Sequence, residues 1–233
     1  MKNKNYRNGL HDGIPVALGY FAVSFTFGMA SATSGLNILQ AVLISLTNVT
    51  SAGQFSGLGI IAAGGSYIEL ALTQLIINLR YSLMSFSLAQ KLERSAPNWH
   101  RFLMAYSVTD EIFALDVSLS SSLSPAYHYG ITSVAVPGWV LGTLAGAISG
   151  NILPAFVISA LGVAIYGMFL AIIIPPARQN RTILLVVLSA MGLSFLFSAL
   201  PVLKKVTSGF VIIITTVVIA GIAAWLKPIE AET

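Results

Sequence analysis

The thirty residues from Leu36 to Gly65 form a long apolar run interrupted in its middle by Asn48-Val-Thr-Ser-Ala-Gly-Gln54. As one straight helix the run would measure ~45 Å at 1.5 Å per residue, well beyond a hydrocarbon core about 30 Å thick. Two arms are expected instead, Ile38 to Leu46 and Phe55 to Gly64, each crossing about half a bilayer. Broken backbone at that depth survives only where it is buried in protein or lines a wet cavity, because lipid satisfies no N–H or C=O group. A polar break of this kind is how many transporters build a binding site. The plainer alternative is two helices joined by a short loop at one membrane face.

Composition sets the class around this feature. Of 233 residues, 56% are hydrophobic and only 9% charged, where a soluble domain is about a quarter charged. The chain reads as one polytopic membrane domain, residues 1–233, an all-α transmembrane helical bundle. Its net charge of +4 sits mostly in loops and termini, so it reads as membrane orientation and not as nucleic-acid binding. The lack of cysteine excludes disulfides, thiolate metal sites and Cys nucleophiles. No metal site and no cofactor are expected.

Seven spans are expected besides the broken or re-entrant segment at 36–65. They are Gly13 to Ala32, Ile68 to Ala89, Phe102 to Ser121, Tyr129 to Gly150, Ala155 to Ile174, Thr182 to Leu200 and Gly209 to Leu226. Phe102 to Ser121 is the least hydrophobic, carrying Asp110, Glu111 and Asp116. Lys and Arg concentrate on the cytoplasmic side of membrane proteins. If the broken segment crosses fully, six (Lys2, Lys4, Arg7, Arg178, Arg181, Lys227) lie inside against five (Lys91, Arg94, Arg101, Lys204, Lys205) outside. If it re-enters, those five join Lys2, Lys4 and Arg7, giving eight inside against three outside. The re-entrant path fits better, with a cytoplasmic N-terminus and an external C-terminus.

Ionisable groups at membrane depth are functional candidates, because each is costly unless paired or hydrated. Arg80 cannot shed its charge and needs a partner: Asp110, Glu111, a backbone carbonyl cluster or a bound carboxylate. Asp110 and Glu111 point about 100° apart on a helix, so they serve different partners. One can pair with Arg80 while the other exchanges protons. Around the break, Asn48, Ser51, Gln54 and Asn78 supply neutral hydrogen-bonding groups, and the second arm starts near Gly53 with free N–H groups suited to a carboxylate. The alternative is that these amides only satisfy one another. Gly138, Gly142, Gly146 and Gly150 recur every fourth residue and mark a face for close helix packing, with the partner left open. His11, His100 and His128 lie at segment ends and read as interfacial. The chain carries no His-Glu-x-x-His pair, Gly-x-Ser-x-Gly elbow or phosphate-binding loop, so no enzyme is expected.

These residues together resemble the AzlC family, the large subunit of bacterial branched-chain amino acid exporters. Phe25-Thr-Phe-Gly28 resembles its first-span Phe-Gly pattern and Ser51-Ala-Gly-Gln-Phe55 its Ala-Ser-Gln-Phe signature. Asn78-Leu-Arg80 matches Asn-Leu-Arg, with Tyr81 where His often follows. Thr109-Asp-Glu-Ile-Phe-Ala114 matches Asp-Glu-x-x-Ala, and Gly138-Trp-Val-Leu-Gly-Thr143 the Gly-Trp segment. Gly162-Val-Ala164 departs from an Asp-Phe-Ala pattern of many members. The resemblance implies proton-coupled export of branched-chain or similar small neutral amino acids across the bacterial cytoplasmic membrane, with a small AzlD-type membrane subunit as partner. A passive channel and a membrane scaffold subunit are the readings it competes with.

Overall fold

The computed structural model describes residues 5–150, 173–201 and 203–226, together with Phe156 and Leu170. Most of the span expected at Ala155 to Ile174, Gly162 within it, and the charges Lys2, Lys4 and Lys227 lie outside the described residues. The described chain is all-α. Its helices include α1 (Tyr6–Thr33), α2 (Ile38–Thr47), α3 (Ala52–Ala62), α4 (Tyr67–Lys91), α5 (Trp99–Ala105), α6 (Asp110–Val117), α7 (Pro125–Gly150), α8 (Arg181–Ala199) and α9 (Ser208–Leu226). Among them α1, α7, α8 and α9 are long and apolar enough to cross a membrane. The chain divides into two compact units, one of residues 1–55 and 78–162, the other of residues 56–77 and 163–233.

The first unit is built on α1 and α7, and the glycine face explains why. Gly138 faces Ala17, Gly142 faces Phe21, Gly146 faces Phe25 and Gly150 faces Met29. Each pair differs by 121 in residue number, so the two helices run in the same direction in constant register. A Cβ on Gly138 would lie 2.7 Å from the Ala17 carbonyl oxygen, and at Gly142 and Gly146 the carbonyls of Phe21 and Phe25 press closer still. Gly9, Gly13 and Gly28 return the same fit from α1 toward Tyr127, Ile131 and Thr143. The packing partner of the glycine face is thus the first helix of the same chain.

The break in the apolar run is present where the sequence puts it. A capping box starts α2, with Asn37 Oδ1 accepting from the Gln40 N–H (2.8 Å) and Gln40 Oε1 from the Asn37 N–H (2.9 Å). Helix α2 ends at Asn48, whose extended backbone (φ −144°) leaves the helix. Ser51 then takes a positive φ of 31°, and Thr50 caps α3 by accepting the Gly53 N–H on its hydroxyl at 3.1 Å and on its carbonyl at 2.9 Å.

A second break replaces the span expected at Phe102 to Ser121. That stretch holds two short helices, α5 of 7 residues and α6 of 8, separated by Tyr106 to Thr109. The reason is local: Thr109 adopts an extended backbone (φ −132°, ψ 171°) and its side chain accepts the Ile112 N–H, while Asp110 and Glu111 fill the first turn of α6. An N-cap hydroxyl followed by two carboxylates favours a new helix start over continuation of the old one. The excursion also ends where it begins. The Glu93 N–H donates to Leu123 O (3.0 Å), the Leu123 N–H to Lys91 O (2.9 Å), and Lys91 Nζ to the Val117 and Leu119 carbonyls (2.5 and 2.6 Å). The chain therefore leaves the end of α4 and returns to it before starting α7. Leu92, Met104, Ile112 and Leu123 pack with Tyr127 and Ile131 of α7 in the buried core of this unit.

In the second unit α8 packs on α9, and both leave most side chains exposed, as lipid-facing helices do. The buried Glu69, in the first turn of α4, accepts from the Thr207 hydroxyl and from the Gly209 N–H (3.0 Å) at the start of α9. A carboxylate at a helix N-terminus meets free N–H groups and the positive end of the macrodipole.

Candidate functional site at the meeting of two helix breaks

Tyr20 and Trp139 are each the fifteenth residue of their helices. The parallel register brings them side by side at mid-height, edge to face with ring centroids 5.3 Å apart. Both are buried. Each reaches one of the two breaks.

From Trp139, Nε1–H donates to Gln54 Oε1 (2.9 Å), Gln54 Nε2 donates to Ser45 Oγ (2.9 Å), and Ser45 Oγ bonds Thr143 Oγ1 (2.6 Å). Gln54, Ser45 and Thr143 are buried with it, so this chain of uncharged groups closes the α2–α3 break against α7. Buried polar atoms are costly unless matched. Gln54, expected as a binding residue, has both ends of its amide engaged by protein.

From Tyr20, the hydroxyl bonds both the Thr109 hydroxyl and the Glu111 carboxylate, the latter at 2.8 Å. Its neighbour Asp110 pairs with Arg80, Nη1 to Oδ2 at 2.6 Å, while Arg80 Nη2 donates to the Tyr81 hydroxyl at 3.1 Å. The adjacent carboxylates thus have separate partners. The ion pair is not enclosed: the Arg80 and Asp110 side chains are 44% and 38% exposed. The Tyr106 hydroxyl, from the α5–α6 break, donates to Leu46 O (2.5 Å) in the last turn of α2, where helix carbonyls lack intrahelical partners. That bond joins the two breaks directly.

The other expected residues fall around this centre. Asn48 is the half-buried end of α2, Ser51 holds the strained backbone of the turn, and Gly53 is buried in the first turn of α3 with its N–H already taken by Thr50. Asn78 lies two residues before Arg80 on α4, about 200° away around the helix. Sequence reasoning missed Tyr20, Trp139, Tyr106 and Thr109. Of these Thr109 carried a signal, since a threonine followed by Asp-Glu marks a helix start. The aromatic residues look like ordinary core residues until the register of α1 on α7 is known. Among the described residues no group of three acidic, His or Cys side chains could hold a metal ion.

Comparison with known proteins gives three results. The family described as AzlC protein matches residues 15–153. An uncharacterized membrane protein of Archaeoglobus fulgidus is 31% identical over 196 residues, covering 83% of this chain and 86% of its own. Inner membrane protein YgaZ of Escherichia coli strain K12 is 29% identical over 186 residues, 76% of each chain. No solved structure matches.

Proposed function

Since this chain belongs to the AzlC family and is a transporter, not an enzyme, we propose that it exports branched-chain or similar small neutral amino acids across the cytoplasmic membrane, coupled to protons and working with a small AzlD-type subunit. The observation that carries the reading is the meeting of two broken helix pairs at mid-height of α1 and α7, one entering after α1 ends and the other after α4 ends. Paired interruptions in hydrophobic segments are the sequence and fold mark of a transporter site. In this reading the amino acid lies beside the Tyr20–Trp139 pair. Arg80 receives its carboxylate when Asp110 releases it, and the turn around Asn48, Ser51, Gly53 and Gln54 forms its neutral wall. Glu111, held by Tyr20, is the acid nearest the bound amino group.

The second break also changes the proposed path through the membrane. With α5–α6 returning to its starting face, the path counts α1, α4, α7, α8 and α9 together with the span that the sequence alone leads one to expect at Ala155 to Ile174. α4, at 25 residues, measures roughly 37 Å and is long enough to cross. Lys and Arg then divide nine inside (Lys2, Lys4, Arg7, Lys91, Arg94, Arg101, Arg178, Arg181, Lys227) against two outside (Lys204, Lys205), a stronger bias than the seven-span path gives. The C-terminus is cytoplasmic in this path. A reporter fused after Glu232 that is active only outside the cytoplasm would refute it.

The function is tested by uptake of labelled leucine into inside-out vesicles with and without the small subunit, an acid interior being imposed or collapsed. Concentrative uptake that needs both supports the reading; a flux that only runs down the leucine gradient makes the protein a channel.

A further inference from the structure

Asp116, His128 and Ser107 form a line of hydrogen bonds that the site above does not use. Asp116 Oδ2 bonds His128 Nδ1 at 2.6 Å, His128 Nε2 bonds Ser107 Oγ at 2.9 Å, and Ser107 Oγ bonds Thr132 Oγ1 at 3.0 Å. The connectivity is that of a hydrolytic triad, yet Asp116 and His128 are 0% exposed and Ser107 1%. No substrate carbonyl can reach the serine. Asp116 Oδ1 is buried with no hydrogen-bond partner, which is costly for a carboxylate oxygen in a dry interior. Ser107 belongs to the α5–α6 break, two residues from Thr109, and Thr132 on α7 is half-buried.

We propose that the Asp116–His128 pair is the proton-carrying site of the transport cycle, loaded through Ser107 and Thr132. This rests on the proton-coupled reading above. The proton balance is simple. In one state His128 Nδ1–H donates to Asp116, Nε2 accepts the Ser107 O–H, and Ser107 accepts the Thr132 O–H, leaving one negative charge sealed in the protein. A proton from water reaches the Thr132 oxygen, the Thr132 proton passes to Ser107, and the Ser107 proton passes to Nε2. Both hydroxyls are restored, now pointing the other way, and His128 is a cation against the Asp116 anion. No heavy atom has to move, and the buried net charge is gone. The surrounding charged and titratable groups have bonds of their own: Lys91 to the Val117 and Leu119 carbonyls at the end of α6, Tyr127 to Asp12 of α1 (2.8 Å), and His100 of α5 to Tyr129 (2.8 Å). A coupling proton has to be screened from water on either side of the membrane. The half-exposed Asp110 is not screened; this pair is.

Nitrogen-15 NMR of histidine reads the proton directly, and with His11, His100 and His128 the only histidines, an H128Q sample assigns the signal. The expected result is that, as the pH of the sample is varied across a range, His128 exchanges between a neutral ring protonated at Nδ1 and an imidazolium, and that D116N changes the balance of the two forms. A His128 that keeps one protonation state across the range, or one whose titration D116N leaves unmoved, overturns the proposal without reference to any substrate. In vesicles, the part of leucine uptake that depends on the acid interior should fall at least about tenfold in D116N. S107A keeps the ion pair and should slow the same component, which separates a relay from a folding defect. Gradient-driven uptake of wild-type size in both variants overturns the proposal. If wild-type protein ignores leucine while His128 still titrates through Asp116, the substrate reading fails and the proton site stands.

Discussion

The α2–α3 break and the α5–α6 break are alike in plan and opposite in chemistry. The first is closed by Trp139, Gln54, Ser45 and Thr143, uncharged and buried, each of them hydrogen-bonded to the next. The second carries Asp110 and Glu111 at its helix start and meets the rest of the unit through hydroxyls and a half-exposed arginine. Matched neutral networks hold one geometry, because any shift strands a buried polar atom. Hydroxyls and a half-solvated ion pair can exchange partners at small cost. The comparison teaches that the first break is the fixed wall of the site and the second is the side that answers a substrate or a proton.

Four substitutions test this contrast, taken by their effect on stability. Gly146→Val should have the largest, since even a Cβ meets the Phe25 carbonyl and the α1–α7 frame that carries both breaks must part. A loss of several kcal/mol is expected, seen as aggregation on size exclusion in detergent; a monodisperse variant of normal melting behaviour would break the frame argument. Gln54→Leu orphans the buried Trp139 N–H and should cost about 1 to 3 kcal/mol, read by thermal unfolding. Tyr20→Phe removes the hydroxyl from Thr109 and Glu111, with an expected cost of about 1 to 2 kcal/mol, read by the same thermal unfolding. Arg80→Gln should cost at most about 1 kcal/mol, because the pair it breaks is half-solvated. Leucine uptake should nevertheless be lost. If Arg80→Gln unfolds the protein while Gln54→Leu leaves it intact, the roles of the two breaks are reversed.

The first break was legible because its arithmetic is physical: thirty residues do not fit one crossing, and the polar interruption marks where they fold back. The second was hidden by the same arithmetic, for Phe102 to Ser121 has the length of a single span. Two of the three acids that made it look like a poor span, Asp110 and Glu111, are in fact the first turn of a helix capped by Thr109. The every-fourth glycine pattern announced a close helix contact but not with which helix, since many partners tolerate a smooth face. Only the register on α1 makes Tyr20 and Trp139 neighbours. Asp116 and His128 stood 12 residues apart on different helices, and nothing in their spacing predicts a bond across the turn between them.

The constant offset of 121 residues between α1 and its glycine-faced partner also sets an order of events in synthesis. At ~5 to 20 residues per second, α7 emerges from the ribosome roughly ten seconds after the part of α1 it covers. Throughout that interval the ridge formed by Ala17, Phe21, Phe25 and Met29 faces lipid or another chain, and the breaks that depend on the α1–α7 pair have nothing to close against. A chain truncated before Pro125 therefore holds an adhesive first helix with no mate, so the nascent protein is most exposed to wrong pairing until α7 is made.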